Sequence, residues 1–295
     1  MITPFDGKRR VCFLAMPMHA GARPEAMKAA LSLAASPRTD AFVVDSTNGC
    51  LAYNFNSLWA QFINNPGRFD YFCMLHADVQ PLCAPGYSWL DALIDELDTI
   101  YVLLDGAKPG WDVMHAVCMI KDDKGHTSTA LGDANRQHQW VRKITAKELQ
   151  RLPETFGLRD ILQTIGEDGL NCDSKPCLLP NTGCMVVRWD PRWRKFPGFA
   201  MCDQLAIEME DGRLVSPTYD FLNKVDDELP EVQGKVIARG ISEDWNFGLW
   251  CARHGMRVGG TRKVITNHWG VGCFVSAQQW GEERDESYFK LKGIM

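Results

Sequence analysis

Regular alternation of strand-like and helix-like segments through the first third of the chain restricts its fold more than any other feature. Three apolar runs have the length and continuity of strands buried on both faces: VCFLAM (11–16), AFVVD (41–45) and YFCML (71–75). Helices are predicted between and after them, from Pro24 to Ser36, over 53–63 and around 88–97. This alternation predicts an α/β domain with a mostly parallel, twisted sheet flanked by helices.

The rest of the chain continues the pattern less regularly. The predicted elements are a strand over 112–120, a helix over 145–152, a strand over 183–189, a helix over 242–255 and a strand over 263–270. Thr145 and Glu148 form a capping-box pattern, and Ser242 is a suitable N-cap. Because no repeat, low-complexity segment or linker interrupts the sequence, we expect a single domain over 1–295.

Composition narrows the class of protein. The net charge of -5 and the pI of about 5.8 give no global field that would attract nucleic acid or an anionic membrane. No apolar run approaches the roughly 18 residues that a membrane span needs. The 11 cysteines include no CxxC pair, which favours reduced thiols and a cytoplasmic, soluble protein.

Polar side chains follow the predicted strands where ligands collect in such sheets, beyond the carboxyl ends of the strands. His76 and Asp78 follow the third strand, and Asp45 follows the second. Pro17 and Pro81 are expected to end strand pairing at their positions. No GxGxxG or P-loop follows a strand, so a bound phosphate would need another partner, such as a divalent cation held by Asp78. The alternative is that His76 and Asp78 merely begin a turn.

Six segments in this order resemble the GT-A family of nucleotide-sugar glycosyltransferases: FLAMP, FVVDSTNG, YFCMLHADVQP, LPNTGCMVVR, SEDWNFGLWCARHGMRV and TNHWG. The resemblance implies a GT-A (Rossmann-like) fold, with a nucleotide-binding half over about 8–120, an acceptor and catalytic half over about 121–275, and a polar tail over 276–295. It also implies transfer of a sugar from a nucleoside diphosphate sugar to an acceptor hydroxyl. UDP is favoured over GDP as the nucleotide, and the choice is left open.

The resemblance implies a metal site at Asp78 and His268. In this family an Asp-x-Asp motif holds Mn²⁺ or Mg²⁺ against the donor diphosphate, and Asp78 matches its second carboxylate. His76 stands in place of the first carboxylate, which leaves three roles open: metal ligand, ribose contact or neither. His268, in TNHWG, matches a histidine that completes the metal site, and an imidazole ligand favours manganese.

The segment SEDW matches an acidic motif at the start of a helix, where the helix dipole favours ionised carboxylates. For an inverting transfer, Asp244 is the first choice as the base that takes the proton of the acceptor hydroxyl, and Glu243 is the second. The alternative is that both are surface acids that complement the helix dipole. A retaining outcome also stays open.

Most of the remaining donor-binding hypotheses also come from the resemblance. Asp45 would hold the nucleotide base, with Pro17 at the turn after the first strand, although an Asx turn also accounts for Asp45. Asn181, Thr182 and Gly183 would lie near the donor sugar, with a turn that feeds a strand as the alternative. Apart from the resemblance, Arg262 or Lys263, just before the last strand, could contact the diphosphate, with a solvated strand end as the alternative.

The acceptor is left open between a saccharide and a hydroxylated nucleic-acid base or backbone. Residues 186–199 interleave arginine and lysine with tryptophan and phenylalanine, which suits stacking on sugars or bases. An ordinary loop with its tryptophans packed inward is equally consistent. Two other functions compete: a metal-dependent phosphoesterase using His76, Asp78 and His268, and a sugar-nucleotide-binding protein without catalytic activity.

Overall fold

A seven-stranded sheet organises the structure, and its central strands are the apolar runs of the sequence. The computed structural model describes residues 8–19, 21–99, 101–103, 106–108, 110–135, 137–166, 170–200, 202–211, 214–215, 219–220, 224–225, 231–270, 272–277 and 288–290. Most of the predicted polar tail, 276–295, lies outside these residues.

In chain order the strands are β1 (Arg10–Met18), β2 (Thr39–Thr47), β3 (Tyr71–Leu75), β4 (Val79–Leu82), β5 (Tyr101–Leu103), β6 (Gly106–Lys108), β7 (Val113–Ala116), β8 (His126–Asp133), β9 (Gln137–Thr145), β10 (Thr155–Gly157), β11 (Pro176–Leu179), β12 (Cys184–Arg188), β13 (Cys202–Glu208), β14 (Leu214–Val215), β15 (Tyr219–Asp220), β16 (Lys224–Val225), β17 (Lys235–Ile241), β18 (Val258–Thr261), β19 (Ile265–Trp269), β20 (Cys273–Val275) and β21 (Tyr288–Lys290). The α-helices are α1 (Pro24–Leu31), α2 (Leu51–Ile63), α3 (Trp89–Asp98), α4 (Ala146–Leu149), α5 (Leu158–Ile165) and α6 (Glu243–Arg253), and short 3₁₀ helices cover Ser32–Ala35 and Pro191–Lys195.

The main sheet has the strand order β10-β18-β7-β12-β3-β1-β2. β2, β1, β3, β7 and β18 run in one direction, whereas β12 and β10 run antiparallel to their neighbours. The predicted mostly parallel sheet is therefore confirmed. The carboxyl ends of these five strands and the amino ends of β12 and β10 meet at one edge, which we call the carboxyl edge.

Helices cover both faces of this sheet because successive side chains of a strand point to opposite faces. Cys12, Leu14 and Met16 of β1 share one buried cluster with α1 and α3. Phe13 and Ala15 share another with α2 and α6. This two-sided burial explains why the strands read as continuous apolar runs.

Smaller sheets complete the second half. β11, β8, β9 and β21 form a four-stranded sheet, and β20, β19 and β4 form a three-stranded one.

The predicted capping box is confirmed. The Thr145 hydroxyl accepts a hydrogen bond from the Glu148 amide at 3.2 Å, and the Glu148 carboxylate accepts one from the Thr145 amide at 3.0 Å. The predicted strand over 112–120 is shorter, because regular pairing ends at Ala116 and only a single bridge follows, at Met119.

Both proline predictions were wrong, for one physical reason. Pro17 lies inside β1, but the pairing of β1 with β3 ends at Ala15, so the missing amide falls where one neighbour has already ended. Pro81 lies inside β4, which is an edge strand of its sheet. Proline is tolerated wherever one side of a strand has no partner.

Asp45 lies within its strand and not after it, because β2 continues to Thr47.

Candidate functional site

Two segments at the carboxyl edge are joined through the backbone and bring distant residues together. The His76 amide, just after β3, donates to the Gly183 carbonyl at 2.9 Å, just before β12. β4 then pairs antiparallel with β19, and the Trp269 amide donates to the Asp78 carbonyl at 2.8 Å. The turn at 76–78 is therefore placed by hydrogen bonds to two other segments.

Asp78 and His268 lie side by side as a result of this pairing. His268 Nε2 is 3.7 Å from Asp78 Oδ1. His268 Nδ1 lies 2.7 Å from the Met119 carbonyl oxygen, which can only accept a hydrogen bond. The proton of a neutral ring is therefore on Nδ1, and the lone pair of Nε2 faces the Asp78 carboxylate.

Lys121 is the second partner of Asp78, and the sequence interpretation missed it. Its ammonium forms an ion pair with Asp78 Oδ2. Burial pushes the pKa of Asp78 upward, but the His268 ring, which donates from Nε2 when it is protonated, and the Lys121 ammonium outweigh burial and hold the pKa below its ordinary value. Asp78 is thus ionised at neutral pH. The available signal was the position of Lys121 directly after the predicted strand over 112–120.

The donor set of Asp78 and His268 suits a cation that arrives together with phosphate. Two ligand bonds of about 2.1 Å that meet at roughly 90° to 120° span about 3.0 to 3.6 Å, close to the 3.7 Å between Oδ1 and Nε2. Within the described residues no group of three or more His, Cys, Asp or Glu side chains could hold a metal ion. Cations of the Mg²⁺ type are commonly held by one or two protein ligands, with substrate phosphates and water completing the shell.

A second cluster joins His76, Thr182 and Asp244. The Thr182 hydroxyl donates to Asp244 Oδ1 and lies 3.2 Å from His76 Nε2. Burial lowers the pKa of His76 to about 4, so its imidazole is neutral and donates from Nε2 to Thr182. Ser242 caps α6 by accepting the Asp244 amide at 3.3 Å, which fixes the first turn of the helix.

Burial raises the pKa of Asp244, whereas the side chains around Asp78 lower the pKa of that acid. Burial first, and then the charge of Glu243, raises the pKa of Asp244 to about 8. Burial also raises the pKa of Glu243, which is 8% exposed. Asp244 and His76 keep partial contact with solvent although protein surrounds most of each side chain. Both side chains are therefore partly accessible to solvent at the carboxyl edge.

The other predicted donor-binding residues are placed differently. Asn181 is only 1% exposed, and its Nδ2 donates to the Ala116 carbonyl at 2.7 Å, so its side chain stabilises the strand end. A Cβ at Gly183 would lie 3.2 Å from Cys118 Sγ, so a side chain there would crowd the edge. Pro17 is buried in β1, and Asp45 is exposed on β2, the outermost strand. Their contacts with a donor stay predictions.

Arg262 and Lys263 make contacts away from the Asp78 cluster. The Arg262 guanidinium donates to the Leu152 carbonyl at 2.6 Å, and the Lys263 ammonium pairs with Glu96 of α3 at 2.6 Å. Among the described contacts none links either side chain to Asp78. These partners are those of a strand end attached to its neighbours, and the predicted diphosphate role stays a prediction.

Three of the four aromatic residues of 186–199 are core residues, and Trp189 is partly buried against the same cluster. Trp193 is 1% exposed and stacks on Phe247 and Trp250 of α6, with ring centroids 5.9 and 5.6 Å apart. Phe196 and Phe199 belong to the same buried cluster. The inward packing that we considered as the alternative is therefore correct for these three rings, which are not available to stack on an acceptor.

Two cavities lie elsewhere in the molecule. One of about 650 Å³ is lined by Trp111, Met256 and Val258, among others, near the amino ends of β7 and β18 and thus opposite the carboxyl edge. Another of about 420 Å³ lies between β2 and the end of α2. Neither is lined by a predicted site residue.

Comparisons with known proteins identify no family for this chain, and a solved structure that they find has a low similarity to it. No protein-family model matches the sequence, and no curated protein matches it. Among solved structures, A197 from STIV aligns over 94% of this chain and 95% of its own, with 12% identity and a TM-score of 0.46. A likeness of this size carries no argument about function.

No helix among the described residues has the length and apolar character to cross a membrane.

Proposed function

We propose that this protein is a metal-dependent glycosyltransferase with a GT-A (Rossmann-like) fold. It would transfer a sugar from a nucleoside diphosphate sugar to an acceptor hydroxyl. One arrangement supports the proposal. At one sheet edge the ionised Asp78 carboxylate faces the imidazole of His268, and Asp244, at the same edge, is a carboxylate with a raised pKa.

Asp78 and His268 would hold Mn²⁺ or Mg²⁺ together with the donor diphosphate. When bound, this cation supplies Lewis-acid chemistry that neutralises charge growing on the departing diphosphate, an effect commonly worth several kcal/mol. The hydrogen bond from His268 Nδ1 to Met119 fixes the orientation of the ring, so no rearrangement is needed before the imidazole can act as a ligand.

Asp244 would act as the general base toward the acceptor hydroxyl. The most effective base has a pKa near the working pH, because it must be ionised yet still basic enough to take a proton. Burial places Asp244 in that range, and the hydroxyl of Thr182 stabilises the ionised form by donating to Oδ1. Glu243, the adjacent buried acid, is the second choice.

The acceptor that fits best is a saccharide. The net charge of -5 gives no general attraction for nucleic acid, which favours a saccharide. The burial of Trp193, Phe196 and Phe199 removes these three rings as stacking partners for either class of acceptor. Asp45 and Pro17, on β2 and β1, remain candidates for the nucleotide end of the donor.

A sugar-nucleotide-binding protein without catalytic activity is the second candidate. The observation that favours it is the hydrogen bonding of Asp244 inside the protein, in an environment that keeps the carboxyl neutral at pH 7. A phosphoesterase is less well supported, because the described residues hold no group of three metal-binding side chains.

A thermal-shift screen of UDP- and GDP-sugars, with and without Mn²⁺, tests the proposal first. A ligand at 100 times its Kd stabilises the native state by about 2.7 kcal/mol, which gives a clear shift. Mn²⁺-dependent donor hydrolysis or transfer is then measured in Asp78→Ala and Asp244→Asn. Asp40→Asn is the matched control, since this exposed acid lies at the amino end of β2, on the opposite edge. Full activity in both site variants would refute the assignment, while binding without turnover by the wild type would favour the second candidate.

A further inference from the structure

The Asp78 carboxylate is shared between two elements that approach its two oxygens separately. His268 of β19 faces Oδ1, and the ammonium of Lys121 pairs with Oδ2. The side chains of Lys121 and Asp78 are 32% and 36% exposed, so both are in contact with solvent. A positive charge is therefore already present beside the carboxylate where the proposed cation would bind.

The position of Lys121 is set by the same segment that supplies His268. A Cβ at Gly270 would lie 3.0 Å from Lys121 Cδ, so the aliphatic stem of the lysine passes directly over the glycine that follows Trp269. Any larger residue at this position would push the stem away. The absence of a side chain at Gly270 thus leaves room for the lysine stem, and the ion pair with Asp78 sets the position of its ammonium.

This arrangement has an electrostatic consequence for cation binding. A divalent cation at Oδ1 and Nε2 would lie a few ångströms from the Lys121 ammonium and would be repelled by it. The ion pair also withdraws charge from the carboxylate, which is the stronger of only two protein ligands. A diphosphate changes both factors, because its oxygens complete the metal shell and also accept hydrogen bonds from a lysine ammonium.

We propose that Lys121 makes cation binding at Asp78 conditional on the diphosphate. Without a ligand it is the internal counter-ion of Asp78. With a ligand, its ammonium turns to the diphosphate and the carboxylate is released to the metal. This inference rests on the proposed function, because it assumes that the ligand of this edge is a nucleoside diphosphate.

Binding of Mn²⁺, alone and with UDP, tests the inference by electron paramagnetic resonance without any need for turnover. The wild type should bind Mn²⁺ weakly alone and much more tightly with UDP. Lys121→Met removes the charge but keeps a long apolar side chain, and should raise the affinity for Mn²⁺ alone by about tenfold or more. The enhancement by UDP should shrink by a similar factor, because in the proposed ternary complex Lys121 no longer pairs with Asp78 and its removal changes Mn²⁺ affinity little there. UDP affinity should show the same loss of coupling to Mn²⁺. Lys121→Arg keeps the charge and should retain most of the enhancement.

The outcomes separate this inference from the proposed function. Lys121→Met that binds Mn²⁺ alone no more tightly than the wild type would overturn the inference, even if sugar transfer is demonstrated. Tighter Mn²⁺ binding in Lys121→Met, lost again in the double variant with Asp78→Ala, would support it even if no sugar is transferred. Undetectable Mn²⁺ binding in every variant, with or without UDP, would overturn both.

Discussion

Asp78 and Asp244 belong to the same edge of one sheet, yet their surroundings act on the negative charge in opposite ways. Asp78 is held ionised by two nitrogen-bearing side chains, Lys121 and His268. Asp244 has a hydroxyl as its side-chain partner and an acid, Glu243, as its neighbour, so burial dominates and its pKa rises. Two carboxylates with separated pKa values are suited to different tasks, one to holding a cation and the other to moving a proton.

The largest expected effect is that substitution of Asp244 lowers the rate of transfer, whereas substitution of Asp78 weakens donor binding. Asp244→Asn should lower the rate of transfer by about 10²- to 10⁴-fold, as expected for loss of a general base, while Mn²⁺-dependent donor binding is retained. Asp78→Asn should instead lose the Mn²⁺-dependent part of donor binding. Titration calorimetry and single-turnover kinetics measure the two quantities. Loss of donor binding in Asp244→Asn, with binding intact in Asp78→Asn, would reverse the assignment.

Thr182→Val sharpens the comparison by changing the environment of only one of the two acids. Without the donated hydrogen bond the ionised form of Asp244 loses stabilisation, and the midpoint of the pH–rate profile should rise by about one unit. The rate near pH 7 should then fall by about tenfold. Thr39→Val is the matched control, since its buried hydroxyl donates to Asp91 at 2.6 Å, in a different cluster. An unchanged midpoint in Thr182→Val would show that this hydroxyl does not tune the base.

The last prediction concerns how stability depends on pH. The pKa of Asp244 rises from 3.8 to about 8 on folding, so the folded state binds the proton more tightly. Stability is therefore lost as pH rises between these values, and Asp244→Asn should not show this loss. The pKa of Asp78 falls on folding, so its contribution is present above its unfolded pKa and disappears in acid.

Asp78→Asn should accordingly be less stable than the wild type near neutral pH, by about 1 kcal/mol or less because the ion pair is partly exposed. This deficit should shrink as the pH is lowered. Urea denaturation of the wild type and both variants at several pH values measures these trends. Parallel trends in Asp78→Asn and Asp244→Asn would show that the two environments do not differ as described.

The parts of the fold that could be predicted are those with a strong local signal. Strands such as β3 are continuous apolar runs, and α4 and α6 begin at polar caps. The hairpin of β8 and β9 was missed because β8 reads HTSTALGD, a polar sequence without alternation, although nearly all of its residues are buried. There, tertiary contacts satisfy polar side chains, and local sequence carries no trace of them.

The candidate site divides in the same way. Asp78 and His268 were paired by the resemblance of their segments to a family, and β4 and β19 place them side by side. Lys121 is 43 positions from Asp78, and Thr182 is 62 positions from Asp244, so no spacing rule connects either pair. Burial of Asp244, which sets its protonation, depends on elements that pack around it in space and is likewise invisible to local patterns.

The ring stack beneath α6 has a mechanical consequence for Asp244. This carboxylate is in the first turn of a helix whose next turns place Phe247 and Trp250 in ring contact with Trp193, within a buried cluster that also contains strand residues of the sheet. An outward movement of the helix would separate these rings and expose them to water. In the proposed transfer, the acceptor hydroxyl would therefore have to be brought to Asp244, because movement of the carboxylate with its helix would disturb these rings.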